Sequence, residues 1–401
     1  MFAFLRRHPA AAVFIAALAV RLGAAFAIHY YLESRDRDFL IEGDANGYWE
    51  LAGDIVAGED YAIGNRRASR MPGFPLLLAS VRWACGDSVL AARVAICVVG
   101  AFGSAIVFWL GQSLVSDRVG WLAGLWTAFS PTLAGFTPLI LTESVFATCL
   151  VGSILLLHFS NQRLQADRSA AWLALATGLA VGLATYMRPT WLLAVPAFAA
   201  VLLWQHRNAR GVMAAAILVL AGVGSLVPWA MRNQQVTGHF VLTTLWVGPS
   251  LYDGLHPGAT GASDMQFVED DDYIVEMGEF ESNLYYRDEA IAFAKSKPRR
   301  AAALATIKLA RFWSPLPNAE QFKSLVPRAA CLIGFVPLML LAAKGVWVGR
   351  KQVWLLVLTL SPIVYFSLLH MIFVGSLRYR LPAEYPLAVL AAVGLTGTKL
   401  P

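Results

Sequence analysis

PAAAVFIAALAVRLGAAFAIHYY, residues 9–31, follows the pair Arg6-Arg7 and decides the class of fold. A helix needs about 20 predominantly apolar residues to cross the hydrocarbon core of a bilayer, and this run supplies them. A cleaved signal has an apolar region of only about 7–15 residues, so the run is expected to stay in the chain as a first span. Nine further apolar runs follow: Ser88–Leu114, Val119–Phe136, Thr142–Phe159, Ala170–Tyr186, Thr190–Trp204, Gly211–Ala230, Leu325–Ala343, Val353–Phe373 and Glu384–Leu395. Those beginning at Ala170, Thr190 and Glu384 are short for a span. The expected fold is an all-α polytopic membrane protein with about 10 transmembrane helices, one domain over residues 1–401.

Composition points the same way. Of 401 residues, 58% are hydrophobic and 14% charged, against about 25% charged in soluble domains. A water-soluble core this apolar would leave greasy surface exposed. The net charge of +6 is spread in short clusters between the apolar runs. That is the pattern of topology signals, not of a nucleic-acid-binding stripe. Cys97, Cys149 and Cys331 sit inside apolar runs and Cys85 beside one, with no CxxC or Cys/His spacing, so no zinc site is expected.

Orientation follows from Lys and Arg in short connections. With the N-terminus cytoplasmic, the cytoplasmic connections are Asp117-Arg118, Asn161–Ser169, Gln205–Arg210 and Lys344–Lys351. Two long segments, 32–87 and 232–324, then lie outside. The first carries helical periodicity from Asp44 to Ala57, ended by Gly58. Next comes Pro72-Gly73-Phe74-Pro75, opening an apolar stretch, Leu76–Ala84, too short to span and expected to lie along the interface. The second has a Gly-rich stretch Gly248–Gly261, an acidic stretch Asp264–Glu281, and two amphipathic helices near Ser282–Lys295 and Arg299–Phe312, separated at Pro298. No internal repeat is visible, which argues against a transporter of inverted halves.

Just beyond the first span stands Glu42-Gly43-Asp44-Ala45-Asn46-Gly47-Tyr48-Trp49. Asp44 can be read as a helix cap or as a carboxylate held at the membrane surface as a base. Tyr48 lies one turn on, able to orient the carboxylate or a sugar. Glu143 opens the fourth span at the same outer level, where acids are costly and usually face a partner or a wet cavity. Arg188, Arg232 with Asn233, and the pair Arg378 and Arg380 all fall on the outer side, against the positive-inside trend. Guanidinium matches phosphate, and the alternative is an arginine snorkelling to lipid headgroups. Arg378 and Arg380 are both expected to face a cavity under Gly248–Gly261. The acidic run Glu269–Asp272 reads as a solvated loop, lacking the spacing and Gly of a calcium loop. No HExxH is present, and no metal or other cofactor is expected.

In order along the chain, Asp44 with Tyr48, Pro72-Gly73-Phe74-Pro75, Glu143, Arg188-Pro189-Thr190, Pro228-Trp229-Ala230-Met231-Arg232-Asn233, Gly238 and Arg378-Tyr379-Arg380-Leu381-Pro382 resemble bacterial glycosyltransferases of the dolichyl-phosphate-mannose–protein mannosyltransferase superfamily. The resemblance implies a GT-C fold and inverting transfer of a sugar from a polyprenyl-phosphate donor, with the base at Asp44. It also implies a plasma-membrane enzyme whose site faces the periplasm or exterior. Eukaryotic protein mannosyltransferases have Asp-Glu where this chain has Asp44-Ala45, so the acceptor, whether lipid, glycan or protein, stays open. Glu143 is the second catalytic candidate. Tyr48, Arg188, Arg232, Asn233, Arg378 and Arg380 are candidate substrate ligands. The rival readings are a flippase for polyprenyl-linked sugars, which calls for acids near the bilayer midplane, and a non-catalytic scaffold, which has no use for these acids and arginines together.

Overall fold

The computed structural model describes residues 8–270 and 277–397, without the side chains of residues 269, 270 and 320. The acidic run Glu269–Asp272 therefore lies outside the described residues. Among the described residues the protein is all-helical, its one β-bridge joining Ile63 and Arg66. The first span is α1, Pro9–Glu33. The outer segment after it forms α2, Glu42–Ala57, and α3, Gly73–Cys85. Then come α4, Val89–Leu114; α5, Asp117–Phe129; α6, Pro131–Phe136; α7, Glu143–Gln165; and α8, Ala171–Met187. A 3₁₀ turn, Pro189–Leu193, leads into α9, Ala194–Gln205, followed by α10, Ala209–Gly224, and α11, Val227–Thr237. The second outer segment holds α12, Val247–Gly254; α13, Glu279–Ser296; and α14, Pro298–Phe312. The chain returns through α15, Leu325–Val348, and α16, Val353–Ile372. A 3₁₀ turn, Leu377–Arg380, precedes the last helix, α17, Leu381–Thr396.

Every predicted span is helical, but among the described residues six helical stretches are long and apolar enough to cross a membrane. They are Pro9–Glu33, Val89–Leu114, Glu143–Gln165, Ala209–Thr237, Leu325–Val348 and Val353–Ile372. The others are shorter or broken, each for a visible reason. The run Val119–Phe136 is two helices, because Pro131 starts a new one after Ser130, whose hydroxyl accepts from the Leu133 N–H. One of the six, Ala209–Thr237, is itself interrupted between Gly224 and Val227, just ahead of Pro228, which cannot donate a helical hydrogen bond. Large apolar side chains such as Leu220, Trp172 and Leu340 point outward on these helices, as lipid-facing residues do.

The centre of the bundle is α17. From Leu381 to Gly394 all of its residues are buried, and it packs against α4, α5, α7, α15 and α16. A helix apolar on every side belongs in the middle of a membrane bundle. Its contact with α15 is backbone on backbone: a Cβ on Gly345 would lie 1.9 Å from the Leu390 carbonyl oxygen, and one on Gly394 2.1 Å from that of Leu341. Close approach through small residues drives helix association where lipid offers no hydrophobic contrast. The consequence for the site is that the turn carrying Arg378 leads directly into a helix buried on every side.

The ends of the bundle separate the charges as predicted. Helix α7 has 23 residues, about 34 Å at 1.5 Å per residue, so Glu143 and Arg163 stand at opposite ends. At the Arg163 end, Arg210 pairs with Asp167 and His206 meets Asn161 at 2.8 Å. At the other end, called outer here, sit α2, α3 and α12 to α14. Maleimide labelling of intact cells, with exposed Cys85 first replaced by Ser, is expected to reach Asp44→Cys and not Arg207→Cys. Labelling of both from the same side would overturn this orientation.

Candidate active site

Helix α2 begins at Glu42, two residues before the predicted start, with Ile41 at the cap position and no side-chain cap. Asp44 therefore lies inside the first turn, and its carboxylate is engaged elsewhere. Oδ1 accepts a hydrogen bond from Arg70 Nη2 at 3.1 Å, and Oδ2 accepts one from Arg378 Nη2 at 2.5 Å. Arg378 also turns its Nε to Glu143 Oε1, at 2.9 Å, and Arg188 Nη1 donates to the same oxygen at 3.3 Å. The result is an alternating row, Arg70–Asp44–Arg378–Glu143–Arg188, drawn from five separated parts of the chain. Glu143 is 4% exposed and Asp44 25%, so the row is most deeply buried at Glu143 and more accessible at Asp44.

Local structure explains each position. Arg70 precedes Pro72-Gly73, where α3 starts against the end of α8. A Cβ on Gly73 would sit 2.6 Å from the Tyr186 carbonyl oxygen, so glycine permits the approach that brings Arg70 over α2. Arg188 precedes Pro189, which favours extended backbone for it, and its φ of −146° and ψ of 118° fit. The aromatic rings around the row hold the guanidinium groups flat. Arg70 lies 5.7 Å from the centroids of both Tyr48 and Trp246, and Arg188 and Arg378 lie 5.1 Å and 5.0 Å from Tyr379. Tyr379 in turn stacks on His370, with ring centroids 4.5 Å apart.

Electrostatics follow from this geometry. Enclosure alone would raise the Asp44 carboxyl, but Arg378 and then Arg70 outweigh it and hold the group well below the usual carboxylate range. Enclosure likewise disfavours the charged form of Arg378, yet its anionic neighbours keep it firmly protonated. Burial pushes the Tyr48 hydroxyl up. Among the described residues no group of three His, Cys, Asp or Glu side chains gathers as a metal-binding set.

The fold thus brings together Asp44, Tyr48, Glu143, Arg188 and Arg378, and leaves out three of the predicted residues. Arg380 does not face the same space as Arg378. In a 3₁₀ turn, with three residues per revolution, positions two apart point in different directions. Arg380 is fully buried against Glu384 Oε1 at 2.8 Å and donates to the carbonyls of Phe312 and Ser314 at 2.7 and 3.0 Å. It staples α14 to α17. Arg232 donates to the carbonyls of Tyr61, at 2.9 Å, and Arg67, clamping the first outer segment. Asn233 is buried and donates to Val241 and Thr243 at 2.9 and 3.3 Å. Arg70 is the residue sequence reasoning missed. Its one signal was its place two residues before the Pro-Gly-Phe-Pro motif, in a loop whose arginines carry no topological information.

Residues 69–231 match the family described as dolichyl-phosphate-mannose-protein mannosyltransferase. The matched segment contains Arg70, Glu143 and Arg188, with Asp44 and Arg378 on either side of it. No curated protein sequence matches the chain. Among solved structures, the archaeal oligosaccharyltransferase AglB from Archaeoglobus fulgidus, in complex with an inhibitory peptide and a dolichol-phosphate, superimposes with a TM-score of 0.58 at 11% identity, covering 98% of this chain and 50% of that one. The apo form of the Archaeoglobus fulgidus oligosaccharyltransferase gives 0.56 at 13% identity, with 96% and 50% coverage. ArnT from Cupriavidus metallidurans bound to undecaprenyl phosphate overlaps more loosely, at 0.43 and 14% identity over 96% and 77%. The chain spans about half the length of the oligosaccharyltransferase, so the likeness is one of fold. This protein is a multi-pass membrane protein of GT-C-like fold, similar over residues 69–231 to the dolichyl-phosphate-mannose-protein mannosyltransferase family.

Proposed function

We propose that the protein transfers a sugar from a polyprenyl-phosphate-linked donor to an acceptor hydroxyl, inverting the anomeric centre, on the outer face of the plasma membrane. The observation that carries this reading is the row in which Arg378 joins Asp44 to Glu143. It sits at the outer end of the bundle, where the headgroup of a lipid-borne donor emerges. The donor is already activated, so two tasks remain. Asp44 takes the proton of the acceptor hydroxyl as its oxygen attacks the anomeric carbon, while the bond from that carbon to the phosphate oxygen breaks and the phosphate leaves with the electron pair. Arg378 and Arg188 receive the phosphate charge. Glu143 is a positioning residue on this reading, since its Oε1 holds both of those guanidinium groups. The dolichol-phosphate in complex with the archaeal oligosaccharyltransferase of similar fold is a ligand of the same class.

A carboxylate pinned by two arginines is a poor base. The donor phosphate competes for Arg378 and Arg188, and as it takes them the Asp44 carboxyl rises toward its ordinary value. Donor binding thus switches the base on. Incubation of the purified protein with radiolabelled polyprenyl-phosphate sugars and a membrane extract tests the reading, and release of polyprenyl phosphate with labelling of an acceptor is expected. Absence of any donor consumption would refute it. The pH profile carries the sign. Asp44 loses its proton-accepting form as pH falls through its pKa, and that pKa is lower in the free enzyme than with donor bound. The acid limb of kcat is therefore expected at higher pH than the acid limb of kcat/KM, and coincident limbs would remove the switching role.

A further inference from the structure

A cleft opens on the outer side where three segments meet, residues 65–70, 245–249 and 277–283. It offers about 60 Å³ to the centres of water-sized spheres, beneath an open mouth. Its walls are built, not merely adjacent. The Leu245 N–H donates to the Ala68 carbonyl at 2.9 Å, and the Glu279 carboxylate accepts from the N–H groups of Arg67 and Ala68, each at 2.9 Å. The Gly248 N–H donates to Asn283 Oδ1 at 2.8 Å.

The lining mixes chemistry in a particular way. Asn65 and Ser282 bring neutral hydrogen-bonding groups, Arg66 and Glu279 offset each other in charge, and Trp246 and Pro249 supply apolar surface. A pyranose has the matching pattern, hydroxyls around its edge and C–H groups on its faces. An anionic headgroup fits less well, because Glu279 lies in the wall.

The cleft is also joined to the carboxylate. Trp246 stands between Arg66, 4.9 Å from its ring centroid, and Arg70, 5.7 Å away. Arg70 in turn donates to Asp44 Oδ1, while Oδ2 faces Arg378. Asp44 thus has Arg378 on one oxygen and, on the other, Arg70, which packs against the cleft wall at Trp246.

We propose that this cleft is the acceptor subsite and binds a sugar unit of a glycan or glycolipid, whose hydroxyl is presented to Asp44 from the Arg70 side. The acceptor role rests on the glycosyl-transfer reading above, whereas sugar binding in the cleft is testable without it. Saturation-transfer NMR on the full-length protein in a sugar-free detergent, with methyl α-mannoside, methyl α-glucoside and methyl α-galactoside as probes, reads that binding. Saturable binding of at least one probe is expected for the wild type. Ser282→Trp, which fills the cleft, is expected to abolish it, and Ser282→Ala to preserve it. Asn65→Ala changes an exposed residue and removes one hydrogen-bonding group, so it is expected to weaken binding by about three- to tenfold at unchanged thermal stability. It keeps the test intact should Ser282→Trp fail to fold. No saturable binding to the wild type, or binding indifferent to both Ser282→Trp and Asn65→Ala, would overturn the proposal. Failure of the underlying reading appears elsewhere, as no consumption of a polyprenyl-phosphate sugar.

Discussion

Replacing Asp44 by Asn is expected to lower turnover by about 10² to 10⁴, the usual worth of a general base, while donor affinity stays level or tightens. The direction for the donor comes from the geometry. On the proposed reaction Asp44 competes with the donor phosphate for Arg378, which it contacts at 2.5 Å, so a neutral side chain there leaves the guanidinium freer. A purely structural role predicts the opposite pairing, with weak binding and lost stability together. Helix capping cannot account for a loss, because the helix start shows no side-chain cap from Asp44 and Asn would serve as well. Single-turnover measurements with saturating labelled donor, beside equilibrium binding of undecaprenyl phosphate, separate the two quantities. Asp44→Asn with wild-type turnover, beside an inactive Glu143→Gln protein, would move the base assignment to Glu143.

Arg378 is expected to show the second large effect, on donor binding first. Among the described residues it is the one guanidinium that contacts both carboxylates. A hydrogen bond to a charged group is worth about 1.5–3 kcal/mol, so Arg378→Gln is expected to raise the donor KM by about 10- to 150-fold. It also strips a partner from Glu143, which is 4% exposed. A buried group left short of partners costs about 1–3 kcal/mol, and a lower melting temperature should accompany the change. Arg378→Lys keeps the charge but loses the planar fork that reaches two acids at once, so partial rescue at most is expected. The double variant Arg378→Gln with Glu143→Gln removes the acid left with Arg188 alone and is expected to recover part of the stability without recovering donor affinity. Recovery of both would show that Arg378 acts only as a counter-ion.

Hydropathy and residue order alone were enough to dictate the helical membrane class, the two long segments between spans and the shared level of Asp44 and Glu143. These are one-dimensional properties. The length of an apolar run, a proline at a helix start and the arginine balance of a short connection act locally and leave their mark locally. The helix ending at Ala57, the start of α3 after Pro72 and the separation of α13 from α14 at Pro298 were all readable for that reason.

Tertiary structure decided which arginines meet which acids. Arg188, Arg232, Arg378 and Arg380 look alike in sequence, each within four residues of a proline near a helix end. Only Arg188 and Arg378 reach Glu143, while Arg232 and Arg380 spend their donors on backbone carbonyls of neighbouring segments. The difference lies in the direction a side chain takes from its turn, and that is set by helix packing. Arg378 and Arg380 diverge because a 3₁₀ turn separates them, on the end of a helix locked against α15 through Gly345 and Gly394. Arg70 was invisible for the same reason. Its partner, Asp44, is 26 residues away, and the close approach that unites them runs through Gly73 and the end of α8, contacts between segments that are not neighbours in the chain.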